Sequence, residues 1–198
     1  MAYNRFTLQE VEQRFGLQVE RDEQMFPTPP QAIPSAFLET TLARNLSLAL
    51  DMNTEKARSE LLIAPVLVEI IEQRQREISL HSGIDFTVDR SLGLAGFCDF
   101  LLSRSPQRTE LVAPVLTVVE AKKEDIPGGF GQCLAEMVAA QRFNQLHDTS
   151  IVTIYGVVTT GDRWRFLRLQ GTQATIDPTE IYLASLPTLL GILLRTVA

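Results

Sequence analysis

Five runs rich in β-branched and aromatic residues fall between residues 84 and 169, and one long helical stretch, 131–146, separates the third run from the fourth. That interruption constrains the fold more than any other feature. A crossover of this length lets the strands at 115–122 and 151–159 run parallel, whereas the short turn at Gly161 and Asp162 sends 151–159 and 164–169 into an antiparallel hairpin. A sheet with both kinds of pairing is mixed and needs helices over its faces. Apolar positions recur at helical spacing over 7–15, 35–50 and 54–78, with Thr7 and Thr54 as caps, and again over about 180–196. Pro65 removes a backbone donor and is expected to bend or divide the 54–78 helix. A stretch bearing Pro27, Pro29, Pro30 and Pro34 reads as an extended connection. The expected organisation is an N-terminal helical extension and connection over 1–53, then an α/β domain over 54–198 built on a mixed β-sheet flanked by helices.

With 45% hydrophobic and 21% charged residues, the 198-residue chain can bury a substantial core. Its 18 basic and 24 acidic residues leave a net charge of −6, which disfavours non-specific attraction to a polyanion, although a bound cation can reverse the local field. The N-terminus lacks the basic-then-apolar pattern of a signal peptide and no run of eighteen apolar residues occurs, so a cytoplasmic protein with no membrane association is expected. Cys98 and Cys133 have no zinc or redox spacing and read as small buried hydrophobes. His81 and His147 fall at helix ends or in loops and make poor general bases.

Chemistry concentrates where charge interrupts apolar strands. In the run 117–123, alternation puts Glu120 and Lys122 on one face and Ala121 on the other. Opposite charges converging at a strand end imply a mutual ion pair or a ligand that needs both. Asp99 similarly breaks the apolar run 94–102, flanked by Phe97, Cys98, Phe100 and Leu101, and its strand is expected to pair beside that of Glu120. Two carboxylates from neighbouring strands make a hard oxygen site suited to Mg²⁺ or Mn²⁺, with zinc the poorer fit.

These residues resemble the PD-(D/E)xK nuclease superfamily, with its restriction-endonuclease-like fold: Asp99 in a hydrophobic strand, Glu120 and Lys122 at the end of the next, a helix opening with Gly131 and Gln132, then the strand at 154–158. Cys98, not proline, precedes the aspartate, a departure of the relaxed kind common in that superfamily. The resemblance implies a Mg²⁺- or Mn²⁺-dependent nuclease hydrolysing phosphodiester bonds, with Asp99 and Glu120 as metal ligands and Lys122 activating or orienting the water. It further implies that Glu60, on the preceding helix, joins the metal site and that Gln132 assists near the lysine. The implied partner is nucleic acid, DNA foremost, and a homodimer would suit cleavage of both strands. The alternative is a catalytically silent module of the same fold that binds a nucleic-acid or protein partner, favoured by the acidic charge and by the absence of a zinc finger or helix-turn-helix pattern. Glu136, one turn after Gln132, is expected to be solvated, and Gly128, Gly129 and Gly131 to form a tight turn before the helix.

Overall fold

The computed structural model describes residues 2–21 and 24–198. Its centre is a mixed sheet of eight strands: β1 (Gln18–Glu20), β2 (Ser79–Asp85), β3 (Phe97–Ser103), β4 (Val115–Ala121), β5 (Thr153–Thr159), β6 (Arg163–Gln170), β7 (Gln173–Ile176) and β8 (Ile181–Tyr182). The spatial order is β1-β7-β6-β5-β4-β3-β2, with β8 added beside β6. β4 and β5 run parallel, joined by helix α5 (Ile126–Leu146), and β5 and β6 form the antiparallel hairpin turned at Gly161. β4 is buried at every position, so it reads as a continuous apolar run with no alternation.

Helices cover both faces. On one side α5 and α1 (Leu8–Phe15) pack against a core that includes Leu101, Val118, Leu134 and Val158. On the other, α2 (Ala36–Met52), α4 (Ala64–Gln73) and α6 (Leu186–Thr196) pack on Leu102, Val119, Val157 and Phe166. Among the described residues no helix is long and apolar enough to cross a membrane.

The first 53 residues share these cores. Tyr3, Phe6 and Val11 lie in the α5-side cluster, the Tyr3 hydroxyl donates to the Phe86 carbonyl at 2.5 Å, and β1 pairs in parallel with β7. A capping box at Thr7 and Glu10 starts α1, and Gly16, left-handed at φ 64°, ends it. The proline-bearing connection crosses α6, where a Cβ on Gly191 would stand 2.2 Å from the Pro30 carbonyl oxygen.

The expected helix over 54–78 is three pieces: α3 (Glu55–Arg58), a π turn (Ser59–Ile63) and α4. The division falls directly beside Pro65. This proline sits in the first turn of α4, where a missing N–H costs least, and the wider π turn precedes it. The helix stops at Gln73, Gln75 and Arg76 turn the chain at positive φ, and β2 begins at Ser79, earlier than the strand expected from residue 84. His81 therefore lies in a strand, buried, with its Nε2 3.0 Å from the Ser79 hydroxyl. The three glycines before the expected crossover helix lie inside α5, which Asp125 caps by accepting from the Gly128 N–H at 3.0 Å.

Candidate active site

The strand pair β3–β4 sets the first two groups. Phe100 faces Val119 and Leu101 faces Val118, so the register continued by one residue places Asp99 opposite Glu120 on the same sheet face. Asp99 also takes over a strand-end hydrogen bond, its Oδ2 accepting from the Ala121 N–H at 2.8 Å. The two carboxyls lie close enough for each to act on the other's proton affinity. Glu120 is only 2% exposed, and its Oε2 finds no hydrogen-bond donor among the described residues. Burial, then the Asp99 charge, pushes the Glu120 carboxyl up to about 8 against the opposing pull of Lys122. Burial raises the Asp99 carboxyl as well.

Lys122 leaves the end of β4 on the same face. Its main-chain N–H donates to the Thr159 carbonyl at 2.8 Å, and its Nζ reaches Glu120 Oε1 at 2.5 Å and Gln132 Oε1 at 3.1 Å. Burial disfavours the ammonium, but the surrounding carboxylates outweigh it and raise its pKa, so this lysine is a cation held in place and no neutral base. Its aliphatic stem lies against α5 because position 129 is glycine: a Cβ there would stand 3.1 Å from Lys122 Cε and 2.7 Å from Val158 Cγ1.

From Gln132 the chain of contacts runs inward. Its Nε2 donates to Glu136 Oε1 at 3.1 Å, and Glu136 is fully buried, with Oε2 again lacking a partner. The expected solvated face does not exist, because α5 is covered on one side by β4 and β5 and on the other by α1. Burial, then the Glu120 charge, raises the Glu136 carboxyl well above the ordinary range. Cys98 and Cys133, both buried, lie near it, and their thiols are likewise pushed up by burial.

Glu60 is not brought to this cluster. Its exposed carboxylate pairs with Lys56 at 2.7 Å on a groove between α2 and α4. The helical acid whose charge acts on Lys122 and Asp99 is Glu55, in the first turn of α3, its own pKa raised by partial burial. The reason is local. Asn53 ends α2 in the left-handed region, Thr54 caps α3, and the buried Arg58 ties that corner to the β5–β6 turn through the Thr160 carbonyl and Asp162 at 2.8 and 2.6 Å. Asn53 Nδ2 meanwhile donates to Glu124 beyond the end of β4. These ties turn the first residue of α3 toward the site, and Glu60, five residues on, falls on a different side of the helix.

Among the described residues no three His, Cys, Asp or Glu side chains form a ready cation cage. The fit to a hard cation rests on other ground: facing carboxyls of Asp99 and Glu120, all-oxygen donors and a buried Glu120 oxygen without a partner. That suits Mg²⁺, which binds through one or two carboxylates and keeps several waters. Compared with known proteins, the chain matches no family model, no curated protein and no solved structure.

Proposed function

We propose that the protein is a Mg²⁺- or Mn²⁺-dependent nuclease of restriction-endonuclease-like fold, hydrolysing phosphodiester bonds at the cluster of Asp99, Glu120 and Lys122. The observation that carries this reading is Asp99 facing Glu120 across β3–β4, with a buried Glu120 oxygen lacking a donor and an ammonium 2.5 Å from its sister oxygen. Such a group is costly to bury unless a ligand completes it. Asp99 and Glu120 would hold the cation, which supplies Lewis-acid stabilisation of the phosphoryl oxygens and a more acidic water. Glu55, close enough for its charge to act on Lys122 and Asp99, would be the helical acid that joins the metal site, the part the sequence resemblance gave to Glu60.

Lys122 is the group that acts on charge developing in the transition state. Fixed by Glu120 and Gln132, it presents a permanent cation to the non-bridging oxygens or orients the attacking water, and little side-chain ordering remains to be done during reaction. The order of elements supports the same fold assignment: a helix, the strands bearing Asp99 and then Glu120, helix α5, and the parallel strand β5. The substrate is nucleic acid, DNA foremost, and a homodimer would place two such sites on a duplex.

Purified protein incubated with mixed DNA and RNA and with Mg²⁺ or Mn²⁺ tests the reading. Cleavage by wild type that is lost in Lys122→Ala and Asp99→Asn, with nucleic-acid binding retained, is the expected outcome. Equal cleavage by Lys122→Ala would place the activity elsewhere, and binding without cleavage by wild type would favour the silent-module alternative.

A further inference from the structure

A glutamine amide has an accepting end and a donating end, and both ends of Gln132 are engaged. Lys122 Nζ can only donate and meets Oε1, while Glu136 offers an acceptor and meets Nε2. The contact to Glu136 is the inner anchor of this chain of groups, buried inside α5. Its carboxyl is buried beside Cys98 and Cys133 and within reach of the Glu120 charge, so keeping an acid there is unfavourable unless it serves a partner. A buried acid whose second oxygen has no partner among the described residues costs stability, and its first oxygen is engaged by the Gln132 amide.

We propose that Glu136 is a positioning residue, which holds the Gln132 amide with its oxygen toward Lys122 and thereby fixes where the lysine ammonium stands beside Glu120. The inference rests on the reading of that cluster as a hydrolytic site. Glu136 touches neither substrate nor metal ligand; it acts through Gln132. Because the contact needs only an accepting oxygen, glutamine at 136 can replace the acid and leucine cannot.

Four variants test this: Glu136→Gln, Glu136→Leu, Gln132→Leu and the double Glu136→Leu/Gln132→Leu. In single-turnover cleavage, Glu136→Leu is expected to lose about 10–100-fold in rate, as for other partners that orient a site residue. Glu136→Gln should recover most of that loss, and Glu136→Leu should cost nothing further in the Gln132→Leu background. Its thermal midpoint should match or exceed that of wild type, a result that a merely structural role would reverse. Additive losses in the double variant, or full activity of Glu136→Leu, overturn the proposal.

A second measurement does not need activity. The side-chain amide protons of Gln132, identified by their absence in Gln132→Leu, should be well separated and slow to exchange with solvent in nuclear magnetic resonance spectra of wild type and Glu136→Gln. In Glu136→Leu they should merge toward the positions of a free amide and exchange quickly. Unchanged amide signals in Glu136→Leu refute the positioning role. Absence of cleavage by wild type with either ion refutes the nuclease reading and leaves the amide result to decide the anchor alone. If Glu136→Leu does not fold, Glu136→Met supplies the same loss of acceptor in a more adaptable side chain.

Discussion

Glu120 binds its proton more tightly in the folded protein than in the unfolded chain, because burial and the facing Asp99 both disfavour the anion. Between its ordinary value of 4.5 and about 8, the folded state holds a proton that the unfolded state has released. Stability of the metal-free protein is therefore expected to be full below that window and to fall as pH rises through it. Thermal melts in a chelator across this range should show the decline, and Glu120→Gln should flatten it and raise the midpoint at the alkaline end. An equally steep decline in Glu120→Gln would assign the effect to Glu136 and Asp99, which shift in the same direction. Asp99, Glu120 and Lys122 were legible in the sequence because a charge inside an apolar strand stands out against its neighbours. Glu136 carried the same signal, as the one charged residue between Asp125 and Arg142, but helical spacing from Gln132 suggested a wet face that α1 in fact covers. Glu55 left no such trace, since an acid in the first turn of a helix capped by Thr54 reads as an ordinary first-turn residue.

Helix α5 owes its seat to two glycines and one asparagine. A Cβ at Gly131 would meet the Phe6 carbonyl oxygen at 2.3 Å and Leu8 N at 2.7 Å, both backbone atoms that cannot swing aside. Gly131→Ala is expected to cost about 1–3 kcal/mol and to loosen the start of α1 from the sheet, visible as faster amide exchange at Val11. Near its other end the Asn144 side chain acts as a short extra strand, accepting from the Val115 N–H at 2.8 Å and donating to the Val115 carbonyl at 2.7 Å. Asn144→Leu strands both buried groups, and a denaturant titration should register a loss of about 2–4 kcal/mol. The long strands and helices were readable from period and turn chemistry. β1, β7 and β8, of three, four and two residues, were not, because a run that short has no period to detect. The start of α5 was hidden for another reason: glycines that read as a turn serve here to admit neighbouring backbone and the Lys122 stem.

The net charge of −6 sets how the molecule meets a polyanion. Few phosphate contacts release few counterions, so binding to nucleic acid in the absence of a cleaving ion should weaken with salt more gently than for proteins making about 6–10 such contacts. Gel-shift titrations at several salt concentrations give the slope, and a steep one would reveal a basic track that the overall charge conceals. The pairing of β1 with β7 carries a consequence in time as well as in space. Gln18 and Gln173, joined side chain to side chain, are 155 residues apart. During synthesis β1 leaves the ribosome well before β7 and has no partner until β7 has followed it, so this edge of the sheet cannot close before then. A nascent chain halted before Gln173 would carry β1 as a loose, pairable edge.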